Sequence, residues 1–157
     1  MLTRRALSAR ELADRLQARG HNPAAARSEV NRLRQVGLVD DRRLADVVVR
    51  SQLQRGRGRR AITLELRRRG LSATVSAAAL SSLAEEEEQT ALEAALARAR
   101  RRHPGSLRLP HIRQKVLRSV LSRGFAPAQV RAAIERAVHG DEEPVCGEES
   151  GFPFEPV

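Results

Sequence analysis

The sequence predicts an all-α protein made of tandem three-helix, helix-turn-helix-like repeats that form an elongated, curved array, the last repeat incomplete. Three observations predict it. An Arg-Gly pair set between two helix-like segments occurs at Arg19-Gly20, Arg69-Gly70 and Arg123-Gly124. The positions four and eight residues before each glycine are apolar every time: Leu16 and Leu12, Leu66 and Ile62, Val120 and Val116. The glycines are 50 and then 54 residues apart, about the size of small helical units that stack because one alone cannot bury its apolar face.

In order, Ser8 and Glu11 predict a capping box opening a helix whose buried stripe includes Leu12 and Leu16, ended by Gly20 in the left-handed conformation. Asn22 as cap and Pro23 at the first helical position open a second helix, with Ala26, Val30, Leu33 and Val36 on one face and Gly37 as its stop. Asp40 and Asp41 suit the N-terminus of a third, whose apolar side runs through Leu44, Val47 or Val48, and Leu53. The stretch Arg55-Gly56-Arg57-Gly58-Arg59-Arg60 breaks it and meets neither dinucleotide nor Walker spacing.

The next unit opens near Arg59 with Ile62 and Leu66, turns at Gly70, and continues from Ser72 with Val75, Ala79, Leu80 and Leu83. Its last helix begins in the acids Glu85 to Glu88 and ends in the bases Arg98 to Arg102. That order matches the helix dipole, so these runs have a helix-stabilising reading beside a functional one. His103-Pro104-Gly105 leads into a linker to Pro110. A helix with Val116, Leu117, Val120 and Leu121 then reaches Gly124, and Ala126-Pro127 opens another with Val130, Ile134 and Ala137. The expected divisions are 1–57, 58–104, 105–139 with two helices only, and 140–157 as a disordered acidic tail.

Charge divides the chain. Residues 1–139 hold 29 basic and 13 acidic side chains, whereas 140–157 hold six acids and no base. The basic part suits a phosphate backbone or an acidic surface. Nearly all of the cations are arginine, a choice that favours bidentate pairing, although biased genome composition gives the same residue usage. The tail has the sign to fold back over the body or to serve as an inert solubilising segment. One cysteine, Cys146, allows no internal disulfide, and with no 18-residue apolar run the expectation is a cytoplasmic protein without membrane contact.

No enzyme is predicted. His21, His103, His111 and His139 stand singly at turns, so no metal and no cofactor is expected. Glu85 to Glu88 point around a helix and cannot converge on one ion. No serine sits in a nucleophile elbow. Three aromatic side chains, Phe125, Phe152 and Phe154, leave little for stacking on single strands, and the arginines are interspersed with few residues able to read base edges. Weak, non-specific DNA affinity is expected, and a basic helix-turn-helix-like regulator of transcription or nucleoid structure is the alternative reading.

Three stretches resemble a known family: Ser8-x-x-Glu11-Leu12-x-x-x-Leu16, then Gly37-Leu38-Val39-Asp40-Asp41-x-x-Leu44-Ala45, then Gly58-x-x-x-Ile62-x-x-Glu65-Leu66-x-x-Arg69-Gly70-Leu71. With Arg118 and Arg123-Gly124-Phe125 they are similar, in order and spacing, to RecX regulatory proteins. That family commonly has aromatic residues where this chain has Leu44, expected still to fill a core, and Ser119. It also usually has a helix before the capping serine, where this chain has only Met1 to Leu7, so an under-packed first unit is expected. The resemblance implies a non-enzymatic protein that lies in the groove of the RecA recombinase filament, and a monomer is expected. It would restrain, and mostly inhibit, the filament's ATPase, recombination and DNA-damage-response (SOS) activity. The candidate contacts are Arg55, Arg57, Arg59, Arg60, Arg67, Arg68, Arg98, Arg100, Arg101 and Arg102. Gly20, Gly37, Gly58, Gly70, Gly124, Ile62, Leu66, Arg118 and Phe125 are expected to be structural, and Asp40, Asp41 and Glu65 to cap or brace helices.

Overall fold

The computed structural model describes residues 6–140, which form eight α-helices and, among the described residues, no strand. The local signals are in use. α1 (Ala9–Ala18) opens on Ser8, whose hydroxyl accepts from the Glu11 N–H at 3.0 Å while the Ser8 N–H donates to the Glu11 carboxylate at 3.0 Å. That satisfies two donors a helix start otherwise leaves orphaned. α2 (Pro23–Gln35) is capped by Asn22, and α3 (Asp41–Gln54) by Asp40, whose carboxylate accepts from the Arg42 and Arg43 N–H groups at 2.9 and 3.0 Å. α4 (Arg59–Arg68) is followed by α5 (Ala73–Ser81), opened by Ser72, and by α6 (Glu85–Arg102), with acids in its first turn and arginines in its last. α7 (Pro110–Leu121) and α8 (Pro127–Gly140) complete the series. Gly140 belongs to α8, so the acidic segment set at 140 begins no earlier than 141. Residues 141–157, and with them the expected disorder, lie outside the described residues.

Two apolar cores follow one another. One joins Leu44, Ala45, Val48 and Val49 of α3 to Ile62 and Leu66 of α4 and to Leu71, Ala79, Leu80 and Leu83 in and around α5. Val48 fills the core position, and Val47 is 57% exposed. The other joins Leu92, Ala95, Leu96 and Ala99 of α6 to Leu107, to Ile112, Val116 and Val120 of α7, and to Phe125, Val130 and Ile134. Leu53 packs against both. The cores run one helix out of phase with the expected divisions at 57/58 and 104/105. Each of the two later Arg-Gly turns joins the second helix of a core to its third, and apolar positions on a helix do not reveal which neighbour they meet. Along the chain the series still ends after two helices past α6, but in the packing α6 shares its core with them.

The first pair, α1 and α2, is thinly packed. No residue of α1 is fully buried, and α2 buries Ala26 and Val30 while Val36 and Leu38 stay exposed. Polar struts tie it to the next core. The Ala9 N–H donates to Asp41 Oδ1 at 2.9 Å, the Ser8 hydroxyl donates to the Arg69 carbonyl at 2.5 Å, and the Arg69 guanidinium reaches Glu11 at 3.3 Å. Leu44, expected to fill a core, is buried.

The turn between α3 and α4 lies across the turn between α7 and α8. The Gly58 N–H donates to the Arg123 carbonyl at 2.9 Å and the Arg60 N–H to the Gly124 carbonyl at 3.1 Å. Only glycines allow this approach: a Cβ on Gly58 would come within 2.6 Å of the Phe125 nitrogen, and one on Gly124, at φ +88°, would collide with the Ala61 backbone.

Candidate interaction groove

The backbone crossing of the two turns leaves a groove of about 620 Å³ beside it, between α4 and the end of α7. Arg55 and Arg57 enter it from the α3–α4 turn, Arg60 and Arg68 from α4, and Arg123 from the α7–α8 turn. Positions 60, 61, 64, 65 and 68 share one helical face, which is why a single helix contributes so much of the lining. Ala61, Leu64 and Leu121 supply apolar surface, with Leu64 60% exposed, and Glu65 is the one acid among the lining residues.

The cations are held close despite their repulsion. Burial pushes the Arg123 guanidinium below its ordinary value, and the like charges of Arg98, Arg102 and Arg57 push the same way. It keeps its proton at neutral pH all the same. Its Nη1 donates to the Arg55 carbonyl at 3.2 Å, which orients the head group. Arg98 comes from α6 in the next core, near enough that a Cβ on Gly56 would lie 2.7 Å from its Nη1. Such an arrangement concentrates positive field in a recess and suits an anionic surface with an apolar side chain between its charges.

Of the sequence candidates, Arg55, Arg57, Arg60 and Arg68 line the groove, and the charges of Arg98 and Arg102 are felt by Arg123 at its edge. Arg67, Arg100 and Arg101 are exposed on their helices but do not line the groove. Arg59 does not line the groove; its Nη1 donates to the Leu80 carbonyl at 3.1 Å and its Nε meets the buried Glu88 carboxylate at 3.4 Å. Glu88, part of the acidic run at the start of α6, is therefore a packing partner for Arg59. Glu65 lines the groove. Arg118, expected as structural, is exposed beside Lys115, Ser119 and His103 in a separate shallow recess. Arg123 is the residue that sequence reasoning passed over as a site. It stood in the motif, but nothing in one sequence says that Arg98 and Arg102 would be brought to it. Among the described residues no His, Cys, Asp and Glu group is placed to hold a metal, and no helix is long and apolar enough to cross a membrane.

Known proteins with this pattern can be set against the geometry. The profile described as "RecX, second three-helix domain" matches residues 40–80, which are α3, α4 and α5, the helices that share the first core. Regulatory protein RecX of Halorhodospira halophila is 38% identical over 145 residues, covering 90% of this chain and 86% of the relative. The protein of the same name from Chromohalobacter salexigens is 42% identical over 137 residues, covering 87% and 88%. This chain belongs to the RecX family. The crystal structure of RecX from Lactobacillus salivarius superposes with a TM-score of 0.75 over 88% of this chain and 89% of that one, at 19% identity, so the serial all-α fold persists through wide sequence change. The RecX relatives are named regulatory proteins.

Proposed function

We propose that this RecX-family chain is a non-enzymatic regulator that lies as a monomer in the groove of a RecA filament in the cytoplasm. There it restrains the filament's ATPase, recombinase and SOS-inducing activity. The observation behind the proposal is the convergence of Arg55, Arg57, Arg60, Arg68 and Arg123, with Arg98 and Arg102 adjoining, on one recess that also exposes Leu64. Shape and field suffice for such a role, since occupancy of a filament groove needs no bond-making group. The apolar side chains among the cations favour a protein surface over bare phosphate, and the paucity of aromatic residues argues against a single-strand stacking platform.

The test is ATP turnover by RecA on single-stranded DNA with sub-stoichiometric amounts of this protein. Turnover is expected to fall, and the combined Arg57→Ala, Arg60→Ala, Arg123→Ala variant, checked for helicity, is expected to lose most of the effect. Unchanged turnover together with tight, sequence-dependent binding to naked duplex would reverse the reading in favour of a DNA-binding regulator. Non-specific DNA binding with a dissociation constant of roughly 10⁻⁴ to 10⁻⁶ M would leave the proposal standing, because basic proteins bind so in general.

A further inference from the structure

We infer that the acidic segment 141–157 of this chain docks in the arginine groove and must be displaced before an outside anion or acidic partner can enter. The two surfaces are complementary in two respects. The groove presents five arginines with a single lining acid, and the segment carries Asp141, Glu142, Glu143, Glu148, Glu149 and Glu155 with no base. The groove also exposes Leu64 with Ala61 and Leu121 beside it, and the segment holds Phe152 and Phe154, two of the three Phe residues of the chain.

Reach permits the contact. Arg123 and Gly124 border the groove and lead into α8, which begins at Pro127 and ends at Gly140. At 1.5 Å per residue its 14 residues carry the chain about 21 Å away. The 17 residues beyond Gly140 span up to about 58 Å when extended, so about seven of them suffice to bring the chain back, which puts the stretch from Glu148 to Phe154 within reach of the recess. Tethering makes the encounter intramolecular, at an effective concentration of the order of millimolar, so a weak contact suffices to occupy the site. The competition lowers apparent affinity for any outside ligand by the fraction of time the site is covered.

The inference does not depend on the RecA reading, and neither readout below involves RecA. Cys146 is the only cysteine, so a second thiol reports on where that segment goes. Ser122→Cys places one in the groove lining, and Ala128→Cys places one at an exposed position nearby in the chain that does not line it. With oxidised glutathione as the oxidant, the full chain carrying Ser122→Cys is expected to close its internal disulfide about tenfold faster than the one carrying Ala128→Cys. The advantage is expected to collapse as sodium chloride is raised from about 0.05 to about 0.5 M. In parallel, Glu148→Gln with Glu149→Gln in the otherwise unaltered full chain is expected to tighten binding to a short random-sequence duplex about threefold or more, the duplex serving as a polyanion probe. Equal closure rates at the two positions, or disulfides formed mainly between two chains, would overturn the inference, as would a duplex affinity that the charge-removing variant leaves unchanged.

Discussion

The turns at Arg69-Gly70 and Arg123-Gly124 have the same motif at the end of equivalent helices and put its arginine to opposite uses. Arg69 is 7% exposed; its guanidinium bonds Glu11 and the Ala6 carbonyl, and its own carbonyl accepts from Ser8, so it fastens α1 to the first core. Arg123 stands among Arg57, Arg98 and Arg102 at the edge of an open groove. The backbone part of the motif is shared, since both glycines have positive φ, +70° and +88°. A repeat therefore transmits its turn geometry faithfully while the side chain beside it is free to serve folding in one copy and recognition in another.

The largest effect expected from this contrast lies in the glycines. Gly124→Val places a branched side chain at positive φ against the Ala61 backbone, and the two contributions together should cost on the order of 4 kcal/mol. Gly20→Val, at φ +90° with nothing within 4 Å of the added Cβ, should cost only about 1–2 kcal/mol. Urea denaturation of the two variants measures the difference, and equal losses would mean that the crossing of the two turns does not hold the cores together.

Next in size is Arg69→Ala. Removing a buried guanidinium leaves Glu11 without it and should cost about 3 kcal/mol, discounted from fully buried pairs because Glu11 keeps a quarter of its side-chain exposure. Glu11→Ala in the same background should then add only the loss of its capping-box bond to the Ser8 N–H, about 1 kcal/mol and less than the same substitution costs in the parent, since the ion pair is already gone. Full additivity in that double-mutant cycle would show that the Arg69–Glu11 ion pair contributes nothing and that Arg69 acts through its stem and its bond to the Ala6 carbonyl.

The contrast also marks what a single sequence can reveal. Caps are local, so Ser8, Asn22, Asp40 and Ser72 were legible from residues within three positions of each other. The glycine turns were legible for the same reason. The phase of the cores was not, because a helix with one apolar stripe can meet either the preceding or the following helix. Nor was the fate of each arginine. Arg59 and Arg60 are adjacent, yet one bonds Glu88, 29 residues away, and the other lines the groove. Which of them is free to face a partner depends on α6, whose position no local pattern specifies.

A third expectation concerns salt. If the groove arginines meet phosphates or carboxylates, Arg57→Gln should weaken duplex binding uniformly across sequences and reduce the slope of log affinity against log salt by about one. Arg67→Gln, on the same helix as Arg60 but outside the groove lining, should change that slope less. Fluorescence anisotropy at several salt concentrations distinguishes them.

The smallest effect on stability should come from Arg123→Gln, and its sign separates the two turns most sharply. The substitution removes a cation that burial and three like charges oppose, while it forfeits the charge-assisted bond to the Arg55 carbonyl, which exposure to solvent reduces to about 1 kcal/mol. These oppose each other, so the unfolding free energy at low salt should stay within about 0.5 kcal/mol of the parent, far from the loss at Arg69. Sodium sulfate separates the two turns further. An anion that occupies the cluster binds the folded form only, so added sulfate should raise the melting temperature of the parent more than that of Arg123→Gln. A parent and variant that respond alike to sulfate, or a variant as destabilised as Arg69→Ala, would show that the second arginine is a strut like the first and that its crowding by other cations has no bearing on recognition.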